Sequence, residues 1–121
     1  MRRILDRPEP ILSYAQGGFR FARLTHSGSL LISPDGVFDW PVRDAAEFPP
    51  AIADLRNTQL VLGDFFLLGT GERQVFPRAD VREAFDALGI GLEVLQTGSA
   101  CRTYNLLLQE QRIFSAGLIA M

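Results

Sequence analysis

The sequence predicts one α/β domain, in which an antiparallel β-meander precedes strands that alternate with helices. A chain of 121 residues is long enough to bury one hydrophobic core without disulfides. In the first third, short apolar runs are separated by turn residues, which is typical of antiparallel strands joined by tight turns. In the second half, apolar runs alternate with segments of helical periodicity, which is typical of crossover units and a partly parallel sheet.

The meander is predicted to follow a lead-in. Pro8 and Pro10 indicate that residues 1–9 are flexible, because proline fixes φ and removes a backbone donor. A single domain then covers residues 10–121. Its first strands are predicted over 11–15, 19–24, 30–32 and 37–40. Turns are predicted at Gly17-Gly18, at residues 25–28 and at Pro34-Asp35-Gly36.

In the second half of the chain, strands are predicted to alternate with helices. Phe65-Phe66-Leu67-Leu68 is typical of a strand buried on both faces, as in parallel sheets. Gly89 is expected to end the helix predicted over 78–88, since glycine readily adopts the left-handed conformation that follows many helices. Helices are predicted over 51–55 (opened by Pro49 and Pro50), 78–88 and 99–110, and the remaining strands over 90–95 and 113–120.

Composition excludes several kinds of function. All 12 basic residues are arginine, so a Walker A lysine and a Schiff-base lysine are impossible. One histidine (His26) and one cysteine (Cys101) cannot build a four-cysteine or two-Cys-two-His zinc site, an HExxH helix or a CxxC redox pair. The net charge of −2 argues against general nucleic-acid binding. The start of the chain lacks a signal-peptide pattern, and no apolar run approaches the ~20 residues of a membrane span. We therefore expect a cytoplasmic protein with no cofactor, no metal, no nucleic acid and no direct membrane insertion.

Two glycine-bearing segments form the candidate ligand site. Each follows a predicted parallel strand, and the carboxyl ends of such strands are where open α/β sheets bind ligands. Thr97 or Ser99 could cap the helix that follows, and Arg102 could grip a phosphate or carboxylate. The candidate anion-binding residues are Gly69, Thr70, Gly71, Thr97, Gly98, Arg102 and Asn105. Purely structural turns are the alternative, because glycine turns after strands are common.

Three further features have a functional and a structural interpretation. Cys101 is a candidate catalytic nucleophile near a helix N-terminus, although packing in the core is the favoured interpretation. His26 beside Ser27 could in principle form a Ser–His pair, but an exposed loop histidine is favoured. A solvated acidic loop is favoured over a cation site for the aspartates Asp35, Asp39 and Asp44.

The order of several short motifs resembles one known family. They are Gly17-Gly18-Phe19-Arg20-Phe21, Gly28-Ser29-Leu30-Leu31, Pro34-Asp35-Gly36, Trp40-Pro41-Val42, Leu67-Leu68-Gly69-Thr70-Gly71 and Thr97-Gly98-x-Ala100-Cys101-Arg102-Thr103-Tyr104-Asn105. Together they resemble the domain-of-unknown-function family that includes mitochondrial respiratory complex I assembly factor 3. The resemblance implies a three-layer β/α fold with a central mixed sheet, and a stand-alone bacterial member.

The resemblance also implies that the protein works through protein partners. The mitochondrial member acts as an assembly factor, so we expect a non-catalytic protein-interaction module that is assembly-factor-like. The alternative is a small enzyme or ligand-binding domain with an anion site at the two glycine-bearing segments. The sequence does not indicate an oligomeric state.

Overall fold

The computed structural model describes residues 2–48 and 63–121 of the chain. A six-stranded mixed sheet, a three-stranded antiparallel sheet and two α-helices make up its framework. The strands are β1 Arg3–Leu5, β2 Ser13–Ala15, β3 Gly18–Arg20, β4 Thr25–Ser27, β5 Ser29–Ser33, β6 Gly36–Trp40, β7 Phe65–Gly69, β8 Gly91–Leu95 and β9 Ser115–Leu118. The helices are α1 Ala79–Leu88 and α2 Thr97–Gln109, and a short 3-10 helix covers Ala45–Glu47.

The central sheet has the strand order β1-β6-β5-β9-β7-β8. β7 lies between β9 and β8 and is parallel to both, whereas β1, β6, β5 and β9 pair antiparallel in that order. The mixed sheet that we predicted is therefore confirmed. Phe66, Leu67 and Leu68 are buried because both faces of β7 are covered, as expected for a strand among parallel neighbours.

The N-terminal antiparallel meander is confirmed as β2-β3-β4, but it forms a small sheet of its own. β5 and β6 instead form a hairpin within the central sheet. The strand predicted over 19–24 ends at Arg20, because the chain turns where Phe21 N–H donates to the Leu24 carbonyl (2.8 Å). The turn predicted at 25–28 was wrong, since Thr25–Ser27 pair with β3 as a strand.

Both faces of the central sheet are covered, which confirms the three-layer arrangement. On one face, Val81 and Phe85 of α1 pack in a cluster with Phe66, and the Phe66 and Phe85 rings lie 5.3 Å apart. On the other face, α2 and the small sheet pack together. There Phe19 and Leu67 share a second buried cluster with residues of α2.

The two helices lie close to their predicted positions. Val81 and Phe85 are four residues apart and point to one face, and Gly89 ends α1 with φ 70° in the left-handed region. α2 begins at Thr97, earlier than the predicted residue 99. The helix predicted over 51–55 lies outside the described residues.

The structure differs from the prediction that residues 1–9 form a flexible lead-in, because several of these residues make defined contacts. Arg3–Leu5 form β1 and pair with β6 at the edge of the central sheet. The Glu9 carbonyl accepts a hydrogen bond from the Tyr104 hydroxyl (2.7 Å). Two prolines could not indicate this, because the pairing depends on a strand that is distant in sequence.

Candidate functional site

The two glycine-bearing segments meet at the carboxyl ends of β7 and β8. Thr70 N–H donates to the Leu95 carbonyl (2.9 Å), and Thr97 N–H donates to the Gly71 carbonyl (2.9 Å). The side chain of Thr97 completes the contact, since its Oγ1 accepts from Gly71 N–H (2.8 Å). Both segments therefore lie at the carboxyl ends of parallel strands, as the sequence predicts, and the structure shows that they are bonded to each other.

Most of the backbone donors in this region are used by the chain itself. Thr97 is fully buried, and its Oγ1 also donates to the Ile119 carbonyl (2.7 Å), which joins β7, α2 and the end of β9. At the start of α2, Ser99 N–H donates to Gln96 Oε1 (2.8 Å) and Ala100 N–H to the Gln96 carbonyl (2.9 Å). The capping residue is Gln96, so the expected cap by Thr97 or Ser99 was wrong. The Thr97 hydroxyl instead bonds to Gly71 N–H and the Ile119 carbonyl, which follow β7 and β9.

Side chains also fill the space that an anion would need. A Cβ on Gly98 would collide with the Tyr14 hydroxyl, and a Cβ on Gly69 would lie 3.0 Å from Thr97 Oγ1. These glycines therefore allow the close packing of neighbouring elements. Thr70 is occupied as well, since its Oγ1 donates to the Arg73 carbonyl and accepts from Val75 N–H (3.0 Å).

The polar side chains of α2 do not converge on the glycines. Arg102 is exposed, and its Nη2 lies 3.2 Å from Ser99 Oγ. Asn105 holds the backbone of Ile11 on both sides, donating from Nδ2 to the carbonyl (2.8 Å) and accepting at Oδ1 from the N–H (2.9 Å). In this geometry Asn105 acts as a clamp between α2 and the segment before β2.

Cys101 lies in the core, among the residues that α2 packs against the sheet and the small sheet. Burial raises the pKa of the Cys101 thiol from an ordinary 9.0 to about 12, and the nearby Arg102 only partly opposes this shift. A thiol with so high a pKa is almost entirely protonated at neutral pH and is a poor nucleophile. Burial raises the pKa of the neighbouring Tyr104 as well.

His26 differs most from its sequence interpretation. It is a buried residue of β4, only 6% exposed, rather than an exposed loop histidine. Its Nε2 lies 3.1 Å from Asp39 Oδ1, yet the ring N–H is not aligned for a hydrogen bond with that or any other described acceptor. A buried donor without an aligned acceptor costs about 1–3 kcal/mol. We regard the 3.1 Å contact as an electrostatic one that leaves the donor unused.

A cleft of about 550 Å³ lies beside this pair. It sits where β4 passes into β5, where β6 ends and where β9 ends, so it shares the carboxyl edge of β9. Its lining residues are Ser27, Gly28, Ser29, Asp39, Trp40, Pro41, Val42, Arg43 and Ala120. The sequence does not reveal this cleft, because Thr25-His26-Ser27-Gly28 has the composition of a turn.

The three aspartates do not act together. Asp39 faces His26, Asp44 Oδ1 accepts from Ala46 N–H (2.8 Å) at the start of the 3-10 helix, and Asp35 belongs to the turn between β5 and β6. Among residues 2–48 and 63–121, no group of three or more His, Cys, Asp or Glu side chains is arranged to hold a metal ion.

At the opposite end of the central sheet, β8 is an edge strand with no further strand beside it among residues 2–48 and 63–121. A groove of about 320 Å³ borders β8 on the α1 side and includes Phe76, which is 64% exposed. A second groove of about 710 Å³ borders β8 on the α2 side and includes Phe65 and Leu107. Gln74 Nε2 donates to the Val94 carbonyl (2.8 Å), which shows that this carbonyl points away from β7.

In the part of the chain that the structure describes, the fold is a three-layer α/β domain with a mixed central sheet and β8 at its edge. The chain belongs to the family described as "Protein of unknown function (DUF498/DUF598)", which matches residues 11–119. The resemblance that the sequence motifs carry is thereby confirmed.

Three relatives illustrate the range of this family. The chain is 33% identical to an uncharacterized protein of Rhodobacter capsulatus over 93% of this chain and 85% of the relative. It is 31% identical to "NADH dehydrogenase [ubiquinone] 1 alpha subcomplex assembly factor 3" of Danio rerio over 90% of this chain, but only 63% of that protein. A crystal structure described as an outer membrane protein from Bartonella henselae matches with a TM-score of 0.84 and 30% identity, covering 97% of this chain and 98% of the other.

Neither α1 nor α2, nor any other helix within the described ranges, has the length and apolar character that crossing a bilayer requires.

Proposed function

We propose that the chain is a non-catalytic protein-interaction module that takes part in assembling protein complexes in the cytoplasm. The family relationship supports this, because a member in Danio rerio is named an assembly factor. The site chemistry supports it too. Cys101 is buried with a raised thiol pKa, and the donors around Gly71 are largely bonded within the chain.

The observation that carries the proposal is the open edge of β8. Gly91 N–H and the Leu95 carbonyl bond toward β7, so the N–H and C=O groups of Leu92 and Val94 point outward. An edge strand with outward backbone groups can accept another strand, and grooves beside it then select the alternate side chains. β8 has such a groove on each face.

The grooves indicate the chemistry of the partner segment. The α2-side groove includes Phe65, Leu95 and Leu107, which suits apolar side chains. The α1-side groove includes Arg82 and Asp86 together with Phe76, which suits polar side chains with an apolar stem. We therefore propose an extended partner segment in which apolar residues alternate with polar ones. To form its bonds it displaces the Gln74 amide from Val94.

A second copy of this chain fits β8 less well than such a segment. In the register that overlaps all five residues of β8, symmetric antiparallel pairing of two copies would place Glu93 directly opposite Glu93. Like charges at opposed positions destabilise a strand pair.

Site-specific photo-cross-linking in the native cell tests the proposal. Benzoylphenylalanine is placed at Phe76 beside β8, and in a matched protein at Ile113, which is 57% exposed at the other end of the strands. We expect one discrete cross-linked partner from Phe76 and none from Ile113. Val94→Pro should abolish the cross-link, because it removes an outward N–H that the fold itself does not use.

Three outcomes would contradict the proposal. They are no cross-link at Phe76, equal cross-links at Phe76 and Ile113, or a Phe76 cross-link that Val94→Pro does not change. A cross-linked product with twice the mass of this chain would show that the partner at β8 is a second copy of the chain and not a segment of another protein.

The alternative of a ligand-binding domain built on Gly69, Gly71 and Gly98 has weaker support. The Thr97 hydroxyl and most of the backbone donors in this region already bond within the chain, and the Tyr14 side chain occupies the space beside Gly98.

A further inference from the structure

Glu93 lies in the middle of β8 and has no charged partner among the described residues. Leu92 and Val94 pack against the cluster on the α1 side, and Leu95 packs against the cluster on the α2 side. Side chains alternate along a strand, so Gly91 and Glu93 share the α2-side face with Leu95. The Glu93 side chain is exposed and takes part in none of the salt bridges within the described ranges. An extended segment paired with β8 would place one of its own side chains beside this carboxylate.

Gly91 leaves a gap in the same face, and the fold does not require it. Gly91 has no positive φ, and a Cβ built on it would lie 3.4 Å from Phe65 Cβ, which is an ordinary van der Waals contact. A larger residue would fit here and would strengthen β8, because glycine weakens a strand. Glycine in a strand often marks a place where another molecule or backbone approaches closely. Gly91 is therefore better explained by what it admits than by what it packs against.

The space beside Gly91 is bordered by an aromatic ring and a cation. Phe65 pairs with Gly91 across β7 and β8, and it is half-buried. The guanidinium carbon of Arg112 lies 5.8 Å from the centre of the Phe65 ring, and all three residues line the 710 Å³ groove. An aromatic side chain in this space would contact Phe65 and present a π face to Arg112. The charge of Arg112 disfavours a basic side chain at the same position.

From these features we infer that the β8 edge selects a segment with a lysine or arginine opposite Glu93 and an aromatic residue opposite Gly91. The inference rests on the proposed role of β8 as the strand that accepts a partner segment. The two partner side chains are separated by one residue, so they lie on the same face. The basic group pairs with the Glu93 carboxylate, and the aromatic ring covers the glycine, as cross-strand aromatics do in sheets.

NMR titration of the full chain with three synthetic peptides tests the inference. The reference is a capped heptapeptide of threonine that carries arginine in the centre and phenylalanine two positions away on each side, so that it can pair in either direction. One matched peptide has glutamate in place of arginine, and the other has alanine in place of both phenylalanines. We expect saturable shifts of the Leu92 and Val94 amides with the reference peptide. The glutamate peptide should bind about fivefold more weakly and the alanine peptide about tenfold more weakly.

Charge reversal at Glu93 supplies the matched variant. Glu93→Arg should reverse the preference, so that the glutamate peptide binds about fivefold more tightly than the reference peptide. Glu83→Arg makes the same change of net charge on α1 but lines neither groove, and it should leave the original preference unchanged. Both glutamates are exposed, so both variants are expected to fold.

Gly91→Val tests the aromatic part of the pattern. Valine fills the space beside Phe65 with a side chain of the protein itself, and it favours a strand. We expect the variant to resist urea at least as well as wild type. Its preference for the reference peptide over the alanine peptide should nevertheless fall from about tenfold to about threefold, because only the phenylalanine opposite Leu95 keeps its contact. A stable fold with reduced selectivity would separate recognition from a structural role of Gly91.

Three results would overturn the inference. They are equal binding of the arginine and glutamate peptides, an equal effect of Glu83→Arg and Glu93→Arg, or no shift of the β8 amides with any peptide at about 5 mM, where even weak binding is detected. If Phe76 still gives its partner cross-link, β8 accepts a segment that these side chains do not select. If the cross-link is absent as well, the proposed function fails too. Selective peptide binding without the cross-link would contradict the proposed function alone.

Discussion

Two polar regions at the same edge of the central sheet use their hydrogen-bonding capacity differently. In the first, the Thr97 junction (Thr97, Gly71 and Ile119), one buried hydroxyl accepts from Gly71 N–H (2.8 Å) and donates to the Ile119 carbonyl (2.7 Å). In the second, the His26 corner (His26, Asp39 and Gly28), a buried ring nitrogen has no aligned hydrogen-bond partner among the described residues. The first region is closed and the second is open.

The two regions therefore contribute differently to stability. The Thr97 hydroxyl bonds three chain segments together and stabilises the fold, and because Thr97 is fully buried its remaining lone pair is out of reach of a ligand. A buried donor without an aligned partner lowers stability instead. Glycines occur in both regions, so glycine alone could not distinguish them.

Thr97→Val should have the largest effect on stability. Valine keeps the shape of threonine but leaves Gly71 N–H and the Ile119 carbonyl buried without their partner. Each unsatisfied group costs about 1–3 kcal/mol, so we expect a loss of about 2–6 kcal/mol in the free energy of unfolding, measured by urea denaturation. Thr97→Ser keeps the hydroxyl and should cost about 1 kcal/mol. Equal stability of the two variants would show that the junction is not held by these bonds.

Cys101 extends the closed region by one turn of α2, and its effect depends on pH. Its thiol pKa is raised from 9.0 to about 12, so the folded protein keeps a proton that the unfolded chain releases above pH 9.0. This contribution to stability is complete below pH 9.0 and is lost as the pH rises toward 12. The loss is about 1.4 kcal/mol per pH unit, or about 2 kcal/mol by pH 10.5.

Urea denaturation of wild type and Cys101→Ala at pH 7.5 and pH 10.5 measures this effect. At pH 7.5 we expect the variant to be less stable by about 1–2 kcal/mol, because it leaves a small cavity. At pH 10.5 the difference should vanish or reverse. The buried Tyr104 also has a raised pKa, but it is present in both proteins and largely cancels from the comparison. A difference that does not change with pH would mean that the thiol is accessible to water in the folded state.

Local patterns predicted the closed region well and the open region poorly. Phe65 to Leu68 form a continuous apolar run, and Gly89 follows a helical pattern, so β7 and the end of α1 could be recognised from neighbouring residues alone. The position of the glycine-bearing segments at the carboxyl edge of the parallel strands could be predicted from the alternation of strands with helices. The side-chain bonds of Thr97 could not be predicted, since Ile119 becomes its neighbour only after the sheet has formed.

His26 was interpreted incorrectly for the same reason. Threonine, histidine, serine and glycine in succession have the local preference of a turn. The segment becomes a strand because His26 pairs with Phe19 across the small sheet, and its burial depends on this tertiary contact. The relation between His26 and Asp39 likewise requires β4 and β6 to be brought together.

His26→Leu should have the smallest effect on stability and provides the sharpest comparison with Thr97→Val. Leucine has a similar volume and removes a donor whose burial is uncompensated, which favours the variant. The variant also loses the attraction between His26 and Asp39, but the Asp39 side chain is 42% exposed, so solvent screening limits this term to about 1 kcal/mol or less. We therefore expect a net change within about 1 kcal/mol in urea denaturation. Loss comparable to that of Thr97→Val would show that the His26 corner is as structural as the Thr97 junction.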